Sequence, residues 1–169
     1  MSNPLDFDPI IEARRQWAAN GWENACDGMA AITSVVRAQQ LFLGRIDTVL
    51  RPLELTFARY EVLMLLLFSR RGSLPLNKIG ARLQVHPTSV TNIINRLEAQ
   101  GFVARRPNPA DGRGTLAEIT PAGREVAGRA TADLMAADFA LGGYDKAQLE
   151  EMFAMLRGLR VSAGDFRPG

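Results

Sequence analysis

The chain has 169 residues and a formal net charge of +2; 47% of its residues are hydrophobic and 22% are charged. This length and composition are typical of one globular unit with a buried core and exclude a disordered chain. The longest strongly apolar run, Val62 to Phe68, is too short to span a bilayer. Residues 1–20 lack the pattern of a signal peptide, and a single cysteine excludes an intrachain disulfide. We therefore expect a cytoplasmic protein without a membrane partner.

The predicted helices of the N-terminal third are separated by clear stop signals. Residues 1–20 are a polar lead with a helical-looking end, and a long helical pattern runs from about Trp22 to Leu50. Pro52 ends this pattern, because proline disfavours the helical conformation of the residue before it. Thr56 is positioned to cap the next helix, Phe57 to Arg71, which is apolar on almost every side and should lie in the core.

The segment from Leu74 to Thr120 predicts a helix-turn-helix followed by a β-hairpin. Its predicted elements are a helix over Leu76–Leu83, a turn at Gln84–His86, a helix from Pro87 that Gly101 ends, and strands at Phe102–Arg106 and Thr115–Ile119. A loop rich in glycine and proline, residues 108–114, joins the two strands.

The second helix of this segment has two chemically different faces. Val90, Ile93, Ile94 and Leu97 cluster on one side of a helical wheel. The opposite side carries side chains that suit base edges and phosphates, and it carries no acid; these are Thr88, Thr91, Asn92, Asn95 and Arg96. This pattern indicates the recognition helix of a DNA-binding unit.

The distribution of charge supports the same interpretation. Residues 69–120 contain eight Lys and Arg residues against three acids, whereas residues 1–30 contain two Arg residues against five acids. Positive charge is therefore concentrated where the helix-turn-helix and the hairpin lie, as expected of a surface that binds nucleic acid.

Two further helices are predicted after the hairpin. Thr120-Pro121 starts one that runs to about Leu141, and Asp145 can cap another that runs to about Arg160. We expect a mainly α fold, a winged helix-turn-helix in the order α-α-α-α-β-β-α-α. Its three regions are an N-terminal extension and dimerisation helix (residues 1–55), a DNA-binding region (56–120) and C-terminal dimerisation helices (121–169). The long terminal helices keep apolar faces that most simply pack against a second copy, so the three parts should form one intertwined unit.

The runs LTFARYEVLMLLLF, LNKIGARLQVHPTSVTNIINRLEAQGFVARR and DGRGTLAEITPAGREV resemble the MarR family of bacterial winged-helix transcription regulators. The resemblance covers roughly residues 30–140 and includes a wing signature, Asp111-x-Arg113. It implies a homodimer that binds an inverted repeat in double-stranded DNA. It also implies release by a small, often aromatic, effector held between the dimerisation helices and the winged domain.

Most of the candidate site residues are expected to contact DNA. Arg113 should enter the minor groove, where a narrow groove raises the negative potential, and Asp111 should hold the hairpin; the alternative is a solvated turn. Asparagine can read adenine and arginine guanine in the major groove. The candidates for base and phosphate contacts are Asn77, Lys78, Thr88, Ser89, Thr91, Asn92, Asn95, Arg96, Arg106 and Arg113.

Other residues allow more than one interpretation. An aromatic effector pocket is one possibility for Trp17, Trp22, Arg37, Arg59 and Tyr60, and packing at a dimer interface is the other. Cys26 is a small buried hydrophobe or, in an oxidant-sensing regulator, a reactive thiol. His86 is a turn residue or a phosphate or ligand contact. One histidine and one cysteine supply no ligand cluster for a metal, and we expect no cofactor.

Three classes of function compete for this pattern. The leading hypothesis is a homodimeric, ligand-responsive regulator, most often a repressor in this family. An enzyme that uses the winged helix only to dimerise would need a glycine-rich cofactor loop after a strand, which the sequence lacks. An architectural DNA-binding protein would rely on Lys and Arg, whereas the recognition face is rich in Asn and Thr.

Overall fold

The computed structural model describes residues 5–109 and 114–167, which form seven α-helices and a small antiparallel sheet. The helices are α1 (Pro9–Ala19), α2 (Cys26–Leu50), α3 (Phe57–Leu67), α4 (Leu76–Leu83), α5 (Pro87–Ala99), α6 (Pro121–Ala136) and α7 (Lys146–Ser162). The strands are β1 (Ser73–Pro75), β2 (Val103–Pro107) and β3 (Thr115–Ile119), and 3₁₀ turns lie at Glu23–Ala25, Arg51–Leu53 and Asp138–Ala140. The predicted mainly helical fold with a winged helix-turn-helix is confirmed.

The sheet has one strand more than the predicted hairpin. Its strand order is β1-β3-β2, and β1 places Leu74 opposite Ala117 of β3. Strand β1 has only three residues and ends at Pro75, which has no N–H to donate, so it suits a short edge position. Such a short segment has no detectable alternation, which is why the sequence pattern did not predict it.

The core lies where α3, α5 and α6 meet the sheet. As predicted, α3 is largely buried, with Val62, Leu63 and Leu66 inaccessible to solvent. The predicted cap of α3 is also present: the hydroxyl of Thr56 accepts a hydrogen bond from the backbone N–H of Arg59. These contacts hold the helix-turn-helix and the sheet on one core.

Two predicted helices end earlier than their sequence pattern indicated. Helix α3 stops at Leu67 instead of Arg71, because the Ser69 hydroxyl donates to the Leu66 carbonyl and the chain turns before Gly72. Helix α6 stops at Ala136 instead of Leu141, because residues 138–140 adopt left-handed backbone angles that break the α-helical hydrogen-bond series. The apolar residues that follow each helix continue the helical periodicity of the sequence, so the pattern predicted helix beyond the observed end.

The peripheral helices leave much apolar surface uncovered. Neither α1 nor α7 has a buried residue. Helix α2 buries Ile46 and Leu50 at its C-terminal end, but Ile32, Val36 and Leu43 on its remaining length are exposed. This surface is what a dimerising protein would present, and dimerisation itself stays a prediction.

Candidate nucleic-acid interface

The start of the recognition helix α5 is stabilised by His86. Its Nδ1 accepts a hydrogen bond from the backbone N–H of Thr88 at 3.2 Å and lies 3.1 Å from the Thr88 hydroxyl oxygen. Because Nδ1 accepts, the proton of a neutral imidazole lies on Nε2. Pro87 occupies the first helical position, where its missing N–H costs nothing. The turn residue predicted from sequence is therefore the N-cap of the recognition helix.

The turn before this helix brings α4 and α5 close together. A Cβ atom added at Gly80 would lie 3.2 Å from Val90 Cγ2 and 3.3 Å from the Val85 carbonyl oxygen. Gln84 has left-handed backbone angles (φ 53°, ψ 41°) and ends α4. A residue without a side chain at position 80 thus permits the close crossing of the two helices.

The two faces predicted for α5 are present in the structure. Val90, Ile94 and Leu97 are buried against the core, and Ile93 is half-buried. The side chains on the opposite side are all exposed; these are Thr88, Ser89, Thr91, Asn92, Asn95 and Arg96. Burial of the apolar side fixes the rotation of the helix, so the polar side faces solvent.

Arg105 connects the β-hairpin to the recognition helix. Its Nη2 donates to Asn95 Oδ1 at 2.6 Å, and its Nη1 pairs with the carboxylate of Glu98. Arg105 is two residues after the buried Val103, so strand alternation directs both side chains toward α5. The sequence pattern indicates Arg105 only as part of the local positive charge, although the alternation of side chains along β2 predicts which way it faces.

The other face of the hairpin carries Arg106. Its Nε lies 3.2 Å from a carboxylate oxygen of Glu118 on β3, in an exposed ion pair. Arg106 is thus available at the surface, with its charge partly compensated. At the end of β2, the Asn108 N–H donates to the Gly114 carbonyl oxygen at 2.9 Å. The predicted wing residues Asp111 and Arg113 lie outside the described residues.

The first turn of α4 carries the two remaining DNA candidates. Asn77 and Lys78 are both exposed, and Asn77 Oδ1 accepts a hydrogen bond from the Lys78 backbone N–H at 2.8 Å. Pro75, the residue at the N-cap position, provides no side-chain hydrogen bond to this helix end. Backbone N–H groups at such an end, together with a lysine, form a surface that suits phosphate.

The residues predicted for an aromatic effector pocket have separate surroundings. Trp17 and Trp22 pack edge to face with ring centroids 5.6 Å apart. Tyr60 is buried and its hydroxyl lies 3.1 Å from the Thr131 hydroxyl oxygen, while Arg59 donates to the Glu54 carbonyl oxygen at 2.7 Å. Arg37, the remaining residue of the predicted set, lines a groove between α1 and α2. A pocket framed by all of them stays a prediction.

Cys26 is buried at the start of α2. Its Sγ lies 3.5 Å from the backbone carbonyl oxygens of both Arg14 and Trp22. A buried thiol beside carbonyl oxygens is typical of a structural cysteine, because a reactive one needs exposure and positive surroundings. This favours the structural interpretation of Cys26.

Within residues 5–109 and 114–167, no helix is both long and apolar enough to cross a membrane.

These features define a class of protein: a winged helix-turn-helix that exposes an amide- and hydroxyl-rich helix beside a basic hairpin. The model of the MarR family matches residues 55–115. The chain is 61% identical to Sco5413, a MarR family transcriptional regulator from Streptomyces coelicolor, with a TM-score of 0.78 over 84% of this chain and 99% of that one. The chain belongs to the MarR family of transcriptional regulators.

Other matches are more distant or cover less of the chain. The uncharacterized HTH-type regulator YkoM of Bacillus subtilis is 38% identical over 65 residues, which is 38% of this chain and 42% of YkoM. The chain thus matches about two fifths of the length of such curated relatives. Sco3205, a MarR family regulator from S. coelicolor solved in complex with DNA, is 22% identical with a TM-score of 0.71 over 82% of this chain and 87% of that one, and shows the shared fold.

Proposed function

We propose that this protein is a homodimeric, sequence-specific repressor that binds an inverted repeat in double-stranded DNA and is released by a small effector. The observation that carries the proposal is the exposed polar side of α5, whose opposite side is buried. Amide, hydroxyl and guanidinium groups on one helix side match the donor and acceptor pattern of the major groove.

Each part of the surface then has a separate task. Asn92 and Arg96 read base edges, while Asn77 and Lys78 hold phosphates at the start of α4. Arg106 adds a phosphate contact next to the wing. Arg113 enters the minor groove, as the resemblance to the family implies, and Asp111 holds the loop that carries it.

A homodimer explains both the exposed apolar surface and the need for two half-sites. The stripe Ile32, Val36 and Leu43 continues the core-facing side of α2 beyond the core. Helix α7 adds Phe153 and Leu159, which are also exposed. Burying these side chains against a second copy would place two recognition helices about one turn of DNA apart.

Two observations support this function over the alternatives. The complex of Sco3205 with DNA shows that a protein of this fold binds DNA. The buried position of Cys26 gives no support to oxidant sensing. An architectural DNA-binding protein would also bind DNA, so the decisive property is sequence preference.

Fluorescence anisotropy with DNA from the region upstream of the protein's own gene tests the proposal. We expect a preference of about 10³-fold or more over random duplex, surviving competition by bulk genomic DNA. Affinity should fall steeply with salt, because phosphate contacts release counterions. A second arm fragments genomic DNA and selects the bound pieces, which covers an operator located elsewhere. If neither arm yields a preferred sequence, the protein is not a sequence-specific regulator.

Arg113→Ala tests the proposed role of the wing. It should weaken operator binding by about 1–3 kcal/mol. Arg15→Ala, an exposed arginine on α1, is the matched control and should leave affinity unchanged. Equal dissociation constants for Arg113→Ala and the parent protein would remove the minor-groove contact from the proposal.

A further inference from the structure

We propose that the groove between α1 and α2 binds a small amphipathic carboxylate. The groove has a volume of about 1220 Å³. Leu5, Phe7 and Ile10 form its wall on the side of α1, and Arg37, Leu41 and Arg45 form the wall on α2. The described residues that line the groove all belong to the N-terminal segment, α1 and α2, so the groove is separate from the DNA-binding surface.

The spacing along α2 explains how this wall combines charge with apolar surface. Arg37, Leu41 and Arg45 are four residues apart, so they lie on the same side of the helix, with a rise of about 6 Å between neighbours. Gly44 lies beside them, and no heavy atom of the described residues lies within 4 Å of a Cβ atom added there. The missing side chain leaves open space along the groove.

The charge of the groove favours an anion. Within the described part of the chain, neither Arg37 nor Arg45 forms a salt bridge; Arg37 only donates to Gln40 Oε1 over a long 3.4 Å. Asp8 also lines the groove, but its Oδ1 already accepts from two backbone N–H groups at the start of α1. A carboxylate is the group that an unpaired guanidinium binds well.

The apolar part of the groove favours a ligand with a hydrocarbon body. Leu5, Phe7 and Leu41 are 63%, 58% and 45% exposed, so the protein covers them incompletely. A carboxylate with an apolar chain of moderate length would cover these side chains and place its head at an arginine. Burying them would add binding free energy in proportion to the area removed from water.

A second copy of the chain is better accommodated elsewhere on α2. The exposed stripe Ile32, Val36 and Leu43 is continuous with the core residues Ile46 and Leu50. On a helical wheel, this stripe lies on nearly the opposite side of α2 from the arginines. A dimer formed through the stripe leaves the groove open to a ligand.

Isothermal titration calorimetry with decanoate on the DNA-free protein tests this inference, which does not rest on the proposed function. Decyltrimethylammonium has an alkyl chain of similar length with a cationic head and should not bind. The double variant Arg37→Gln/Arg45→Gln should weaken decanoate binding about tenfold or more, because it removes the charge-assisted hydrogen bonds. Arg51→Gln, an exposed arginine at the end of α2, should bind as the parent does.

Gly44→Leu provides an independent test, since it fills the groove without changing its charge. It should lower decanoate affinity at least tenfold, whereas Gly28→Leu on the same helix, where an added Cβ also meets nothing within 4 Å, should not. Circular dichroism during heating confirms that both variants fold. Decanoate binding unchanged by Gly44→Leu, or binding of the cation equal to that of decanoate, overturns the inference. A change of oligomeric state in Gly44→Leu also overturns the inference, because the groove would then belong to a subunit interface.

Discussion

The guanidinium of Arg105 on β2 donates a hydrogen bond to the side-chain oxygen of Asn95 on α5, at 2.6 Å. This contact joins the hairpin to the recognition helix and uses one of the two lone pairs of the Asn95 side-chain oxygen. The amide nitrogen of Asn95 and the second lone pair can face a base. Arg105 therefore sets the orientation of a side chain that is a candidate for base contact.

A double-mutant cycle measures the coupling between Arg105 and Asn95. We expect Arg105→Ala and Asn95→Ala to be non-additive in the free energy of unfolding, with a coupling of about 0.5–1.5 kcal/mol in urea denaturation. Arg82→Ala, an exposed arginine on α4, should change stability by less than about 0.5 kcal/mol. Strictly additive effects would show that the hydrogen bond does not persist in solution.

Base reading is expected to depend on Asn92 more than on Lys78. Asn92 is exposed at the centre of the polar side of α5, and no hydrogen bond restrains its side chain within the described part of the chain. Asn92→Ala should reduce operator affinity by about 1–3 kcal/mol and leave binding to random duplex nearly unchanged. Lys78→Ala should weaken both by similar amounts and reduce the salt dependence. Anisotropy titrations on both duplexes make the comparison, and equal losses on both for Asn92→Ala would remove its specific role.

Gly123 is required by a close approach of α6 to the chain before β2. An added Cβ would lie 2.1 Å from the Phe102 carbonyl oxygen and 2.9 Å from Ile119 Cγ1. Gly123→Ala should therefore lower the free energy of unfolding by about 1–3 kcal/mol or more. Gly128 is on the same helix with nothing within 4 Å, so Gly128→Ala should raise stability by about 0.5–1 kcal/mol. Thermal unfolding of both variants decides this, and a neutral Gly123→Ala would mean that α6 shifts freely.

The proposed dimer depends on the apolar stripe of α2. Leu43→Asp places a charge in the middle of this stripe and should shift the protein toward monomer, because a buried unpaired carboxylate is strongly unfavourable. Ala31→Asp adds the same charge at an exposed position away from the stripe. Multi-angle light scattering gives the mass of each variant. A dimer that persists in Leu43→Asp would place the interface elsewhere.

Glu61 on α3 should make stability depend on pH. Partial burial raises the pKa of its carboxyl above the usual value of 4.5. At this site the folded state then binds more protons than the unfolded state as pH rises past 4.5, so the contribution of Glu61 to the free energy of unfolding falls with increasing pH in that range. Glu61→Gln removes the unfavourable burial of the charged carboxylate. The variant should therefore be more stable than the parent at pH 7, and the difference should disappear below pH 4.5.

Urea denaturation across this pH range measures the effect. Glu151→Gln on the exposed surface of α7 controls for the loss of a surface carboxylate. A stability difference between Glu61→Gln and the parent that is the same at every pH would contradict the raised pKa.

Local sequence patterns were sufficient for most of the secondary structure and for the recognition helix. Proline at the first position of α5, the hydroxyl cap of Thr56 and the capping box at Asp145 act within one helical turn. The apolar periodicity of α5 likewise predicted which side is buried. Such signals depend only on neighbouring residues, so the sequence contains them completely.

Contacts between distant segments were decided by the tertiary structure. The Tyr60 hydroxyl forms a hydrogen bond with the Thr131 hydroxyl, 71 residues further along the chain. Arg105 contacts Asn95 and Glu98 only because β2 lies against α5. The groove between α1 and α2 exists because the N-terminal segment runs beside the middle of α2. These relationships depend on the angle and distance at which whole elements pack, and no short sequence window records that geometry.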